Sequence, residues 1–106
     1  MILVNTDFIT GRTLETLELV RGSTIRAKHL GKDIGSALKM IVGGELDSYQ
    51  QMIQEARAMA TKRMVEQAES LGADAVINIR FATSTVAQGA AEVLVYGTAV
   101  RFTASS

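Results

Sequence analysis

From Tyr49 to Leu71 the small and apolar residues fall in steps of three and four: Tyr49, Ile53, Ala56, Ala60, Met64, Ala68 and Leu71. A helix puts all of them on one face, so the spacing predicts one. Asp47-Ser48-Tyr49-Gln50 reads as a capping box that opens it, and Gly72 stops it just past Leu71. Gln51, Glu55, Lys62, Glu66 and Glu69 take the polar sectors. Three alanines in the stripe allow the helix to lie close on a sheet. The chain therefore has to supply that sheet.

The strand signals flank the helix on both sides. Ile2-Leu3-Val4 is consistent with a brief strand, and residues 5–13 read as a loop. Leu14 to Lys28 is strand-like, with Leu17 and Leu19 on one face and Glu18 and Val20 on the other. Gly22 inside that run suggests a bulge or bend. Ala73 to Thr85 forms a further strand, with Ala75, Ile77, Ile79 and Phe81 opposite Val76, Asn78, Arg80 and Ala82. A turn over Val86–Ala90 leads into a last strand from about Ala91 to Phe102. Residues 103–106 are a frayed tail.

Between the first strands and the long helix, Asp33 caps a short helix with Ile34, Leu38 and Ile41 in its stripe, and Gly43 ends it. The fold class is α+β: a small antiparallel sheet packed on a short and a long helix, in a single domain spanning residues 1–106.

The last strand is apolar on both faces, Leu94, Tyr96, Val100 and Phe102 alternating with Val93, Val95 and Ala99. A half-exposed strand alternates apolar with polar, whereas burial on both faces gives a continuous run. The helices cover one face, and no remaining sequence is assigned to the other. A second copy of the chain is the simplest cover, which makes the protein a homo-oligomer.

Composition narrows the function. Eleven basic and eleven acidic residues cancel, which removes any global pull toward nucleic acid or an anionic membrane. Cysteine is absent, excluding disulfides, thiolate metal sites and thiol catalysis. With no signal-peptide pattern at Met1–Asp7 and no apolar run of about 18 residues, a cytoplasmic location is expected.

Gly31-Lys32-Asp33-Ile34-Gly35, Ile41-Val42-Gly43-Gly44-Glu45-Leu46 with Tyr49, and Leu71-Gly72-Ala73-Asp74-Ala75-Val76 follow one another in fixed order. Ile79-Arg80-Phe81, Gln88-Gly89 and Glu92-Val93-Leu94-Val95-Tyr96-Gly97-Thr98-Ala99-Val100 complete the series. In these motifs the chain resembles the YbjQ family of small bacterial proteins. The resemblance implies an α+β fold with an antiparallel sheet on helices, assembly as a ring-like homopentamer, and a heavy-metal-binding label.

Soft metals prefer thiolate, thioether and imidazole ligands. His29 is the only histidine, with Asp33 at i+4, but Arg26, Lys28 and Lys32 around it oppose a bound cation. The same basic run beside the helix start could draw an anion, yet Asp33 there repels one. Met40, Met52, Met59 and Met64 fit core filling better than a thioether path. Gly43-Gly44 lacks phosphate-loop spacing and reads as a helix end and turn. Arg80 and Glu92 stand out as charges in apolar strands, either as partners or as the lining of a polar pocket. No catalytic residue set is readable, and neither cofactor-binding nor metal-ligating residues are assigned. The chain reads as a non-enzymatic homo-oligomeric binding or scaffold module, with any small ligand or metal ion at subunit junctions. The alternatives are an enzyme with a composite inter-subunit site using Arg80, Glu92 and Tyr96, or a metal-binding or sensing protein.

Overall fold

The computed structural model describes residues 1–27 and 46–104. The short helix expected at Asp33, and the candidates His29, Met40, Gly43 and Gly44, lie outside the described residues. Strands β1 (Ile2–Leu3) and β2 (Thr13–Ala27) precede helix α1 (Leu46–Ser70), and strands β3 (Ala75–Ala87) and β4 (Ala90–Thr103) follow it.

α1 begins at Leu46, which places Asp47 inside the first turn rather than at the expected cap. Its other end follows the sequence reading closely. Gly72 adopts φ +75°, its N–H bonds the Glu69 carbonyl at 3.0 Å, and the Ala73 N–H bonds the Ala68 carbonyl at 3.1 Å. Those two bonds form a Schellman motif, which needs a residue in the left-handed region at this position. The predicted stripe is the buried face: Ala56, Ala60, Met64 and Ala68 have no exposed surface.

The four strands form one sheet in the order β1-β3-β4-β2. β3–β4 and β4–β2 are antiparallel, but β1 runs parallel to β3, with Ile2 opposite Ala75 and Leu3 opposite Val76. The sheet is therefore mixed, not purely antiparallel. A chain leaving β1 has the whole length of β2 and α1 to traverse before β3, and a crossover that long permits a parallel return.

α1 lies across β2 and β4, burying Val20, Val76, Val93, Val95 and Ala99 with its own small residues. Gly22 makes this approach possible. A Cβ there would collide with the Ala60 carbonyl oxygen and sit 2.5 Å from the Met64 nitrogen, so helix backbone rests directly on strand backbone. Gly22 pairs in register with Val95, and the irregularity in β2 is instead at Leu17, an extra residue between Thr16 and Glu18. The sequence places a bulge at Gly22; close packing is what this glycine provides. The bulge at Leu17 also separates the two leucines expected on one face. Leu17 packs toward the helix, while Leu19 points to the opposite face.

A second bulge interrupts β3. Ile77 opposes Thr98 and Arg80 opposes Tyr96, leaving Asn78 and Ile79 against Gly97 alone. Asn78 adopts φ +54°, a conformation asparagine tolerates better than most residues. A Cβ on Gly97 would come within 2.7 Å of Val76 Cγ1. The bulge resets the alternation. Ala75 and Ile77 face away from α1, Val76 and Ile79 pack beneath it, and Arg80 returns to the far face. The uninterrupted alternation expected over Ala73–Thr85 is thus broken in the middle.

Part of the far face is covered within the chain itself, where the sequence assigns no cover to it. Ala75, Ile77 and Val100 form a second buried cluster beneath Val4, Ile9, Leu14 and Phe102. The expected loop after β1 supplies that cover. It is tied down by bonds from Val4 N–H to the Val76 carbonyl (3.1 Å) and from Asn78 N–H to the Thr6 carbonyl (2.9 Å). The Arg12 guanidinium stacks over the Phe102 ring at 4.5 Å. Asp74 closes the corner, accepting the Phe102 N–H at 2.8 Å.

Candidate functional site

Beyond that covered end, no described element lies on the far face of the sheet, and the strand register sets its side chains in rows across β3, β4 and β2. Arg80, Tyr96 and Arg21 make one row, followed by Ala82, Leu94 and Ser23, then Ser84, Glu92 and Ile25. Thr98 and Leu19 precede them. Leu19 is 61% exposed, Ile25 62% and Tyr96 38%. On the helix side, Phe81 is 51% exposed, because α1 covers β2 and β4 but scarcely reaches β3. Large apolar side chains therefore lie open on both faces of one end of the sheet.

The register brings Arg80 and Tyr96 together as direct cross-strand neighbours, with Arg21 on the other side of Tyr96. Glu92 shares their face but lies four residues farther along β4, about 13 Å at strand rise. Arg80 and Glu92 are thus not partners within one chain. The Arg80 guanidinium donates instead to the carbonyls of Asn5 (3.1 Å) and Ile79 (3.0 Å), clamping the first loop onto the bulge. Of the other candidates, Met64 is core, as its helical spacing indicated, and Met52 and Met59 are partly buried on α1. Among the described residues, no three His, Cys, Asp or Glu side chains converge as a metal site. No helix among them is long and apolar enough to cross a membrane.

The two edges of the sheet differ. Along β2, the Arg21 N–H donates to Gln67 Oε1 at 2.7 Å, and Arg63 Nη1 donates to the Ser23 carbonyl at 2.6 Å. Two helix side chains thus occupy the outward backbone groups of that strand. Along β3, the first loop bonds the edge as far as Ile79, whose N–H meets the Val4 carbonyl at 3.2 Å. From Phe81 to Ala87 every residue is exposed, and among the described residues no strand pairs with that stretch on the side away from β4. Sequence reasoning anticipated a sheet face without cover but missed the exposure of Phe81 on the helix side, because Phe81 carries the same alternation as true core residues. The shortfall in helix cover is a tertiary fact.

A family model described as "Putative heavy-metal-binding" matches residues 1–103. The chain is 67% identical to a UPF0145 protein of Clostridium novyi, over 95% of this chain and 98% of that one. It is 65% identical to a UPF0145 protein of Alkaliphilus metalliredigens (96% and 99% covered) and 60% identical to one from Methanosarcina acetivorans (95% and 96%). A crystal structure of a DUF74-family protein of unknown function from Pediococcus pentosaceus superposes with a TM-score of 0.65. That pair is 15% identical and covers 97% and 98% of the two chains, a likeness of fold.

Proposed function

Because the chain belongs to the YbjQ (UPF0145) family, we propose that it acts as a self-assembling binding or scaffold module, without catalysis, whose open sheet face is completed by further copies of itself. The observation that carries this reading is the exposure of Leu19, Tyr96 and Ile25 along one face of the sheet. The shape agrees. The Cα atoms extend over 62 × 21 × 15 Å with a radius of gyration of 17.6 Å, against about 13 Å for a compact chain of this length. The described sheet and helix leave part of the second face exposed, and symmetric association would bury it.

Ligands in such an assembly sit at subunit junctions, where the row of Arg21, Tyr96 and Arg80 would lie. The occupied guanidinium of Arg80 and its separation from Glu92 weigh against a catalytic pair there. Five copies is the number the family resemblance implies; the exposed face argues for association and not for a number.

Native mass spectrometry at micromolar concentration tests the reading directly. One closed oligomeric species is expected for the wild type. The double variant Leu19→Ser, Ile25→Ser should shift toward monomer with unchanged far-ultraviolet circular dichroism. A well-folded wild-type monomer at that concentration would overturn it.

A further inference from the structure

The row of Arg80, Tyr96 and Arg21 concentrates positive charge in a chain whose charges cancel overall. The rows on either side of it carry no charge: Ile77, Thr98 and Leu19 in one, Ala82, Leu94 and Ser23 in the other. Glu92, the carboxylate that shares this face of β4, lies about 13 Å farther along the strand.

Neither guanidinium is neutralised by a described residue. Arg80 donates through Nη1 to the Asn5 and Ile79 carbonyls, which fix the group without cancelling its charge and leave Nε and Nη2 out of those bonds. Arg21 meets Gln67 through its backbone N–H, and its side chain is exposed. The ion pair among the described residues joins Arg101 to Glu15, and the cation–π contact joins Arg12 to Phe102. An association that covers this row encloses two cations, which is unfavourable unless an anion comes with them.

We propose that the row binds a phosphate group, as free phosphate or as a phosphomonoester, with Arg21 and Arg80 supplying the charge and the Tyr96 hydroxyl a further donor. The proposal rests on the reading above that ligands lie at subunit junctions, and it names the chemistry of one. Neighbouring strands lie about 4.7–4.9 Å apart, so Arg21 and Arg80 flank Tyr96 at about 10 Å from each other along the sheet. The Arg21 side chain, long and without a described partner, can close over Tyr96 onto an oxyanion. The clamped Arg80 adds a charge whose place is already set, so little ordering is needed on binding. A phosphomonoester carries about −1.5 to −2 charge at neutral pH and three acceptor oxygens, which matches two guanidiniums and a hydroxyl. A carboxylate or a phosphodiester, with a single charge, leaves one guanidinium uncompensated. The Tyr96 ring, 38% exposed, offers a planar group on the ester a surface to stack on.

Equilibrium dialysis of the tag-free wild-type protein against inorganic phosphate, AMP and adenosine tests the site. Phosphate and AMP should bind saturably, and adenosine should not. Tighter binding of AMP marks an ester as the source of the phosphate, and equal binding marks the free ion. Arg21→Gln should weaken binding about tenfold or more through loss of a charge-assisted contact, and Tyr96→Phe about threefold. Arg57→Gln, which removes the same charge from an exposed position on α1, should leave binding unchanged. All three variants should keep the wild-type melting curve, since each side chain is exposed. No saturable binding up to about millimolar ligand, adenosine binding as tightly as AMP, or equal affinities for Arg21→Gln and Arg57→Gln would each overturn the phosphate site. Native mass spectrometry of the same samples keeps the two readings apart. An oligomeric wild type that binds neither anion overturns the phosphate site and leaves self-association standing, whereas a monomeric wild type overturns self-association and with it the junction.

Discussion

The two ends of this sheet are built from the same strands and finished differently. At the end holding Ala75, Val76, Ala99 and Val100, α1 covers one face and the loop after β1 covers the other, giving two buried clusters. At the end holding Phe81–Ala91, the helix reaches only β2 and β4, and no described element lies on the far face. The residues there are no more polar in kind: Phe81, Ile25, Leu94 and Tyr96 would suit a core. Burial is decided by where the covering elements stop. The closed end has the burial of a finished domain, and the other end keeps core-like side chains exposed among the described residues.

Neighbouring residues on β4 sharpen this contrast most. Val95 is fully buried beneath α1, and Tyr96 points to the open face. Val95→Asp places a carboxylate in a dry layer without a partner and should cost about 3 kcal/mol or more, enough to unfold a marginal domain. Tyr96→Asp should change the folding stability of one chain by less than about 0.5 kcal/mol, as surface substitutions do, while weakening assembly. Urea unfolding paired with light scattering separates the two effects. Equal losses of folding stability would mean that both faces are dry within one chain.

Gly22→Ala probes the closed layer through the backbone. The added Cβ meets the Ala60 carbonyl and the Met64 nitrogen, neither of which can rotate aside. α1 must lift from β2, at a cost of about 2–3 kcal/mol for overpacking of this kind. A denaturant midpoint within error of the wild type would show that helix and strand are not in backbone contact.

The smallest effect is expected at the bulge between the two ends. Asn78→Val puts a β-branched residue at φ +54° and should cost about 1–2 kcal/mol, whereas Asn78→Gly should stay within about 0.5 kcal/mol. Thermal melts of the two variants test this, and equal melting temperatures would remove the left-handed residue from the account.

Much of this architecture was legible in the residues. The long helix was readable because steps of three and four admit no other regular structure, and Gly72 marked its end because few residues tolerate a positive φ. The strands after it emerged within two residues of their expected bounds. The bulges at Leu17 and Asn78 were not readable. A one-residue slip leaves composition untouched yet moves every later side chain to the other face. The parallel pairing of β1 escaped for a related reason, since two residues carry no directional signal. Arg80 and Glu92 drew notice as charges in apolar strands, but only the register showed that four residues separate them along one face.

By itself the sequence determined which of the described segments are helix and strand and which face of α1 is apolar, because periodicity is a property of local geometry. It also determined that this chain supplies no cysteine thiolate of its own. The tertiary structure alone decided that Gly22 serves close packing, that the loop after β1 covers one end of the far face, and that no other described element covers the rest. Those outcomes depend on how far each covering element reaches over a sheet longer than the helix side of its core. Reach of that kind is a relation between distant segments, and no local pattern of residues encodes it.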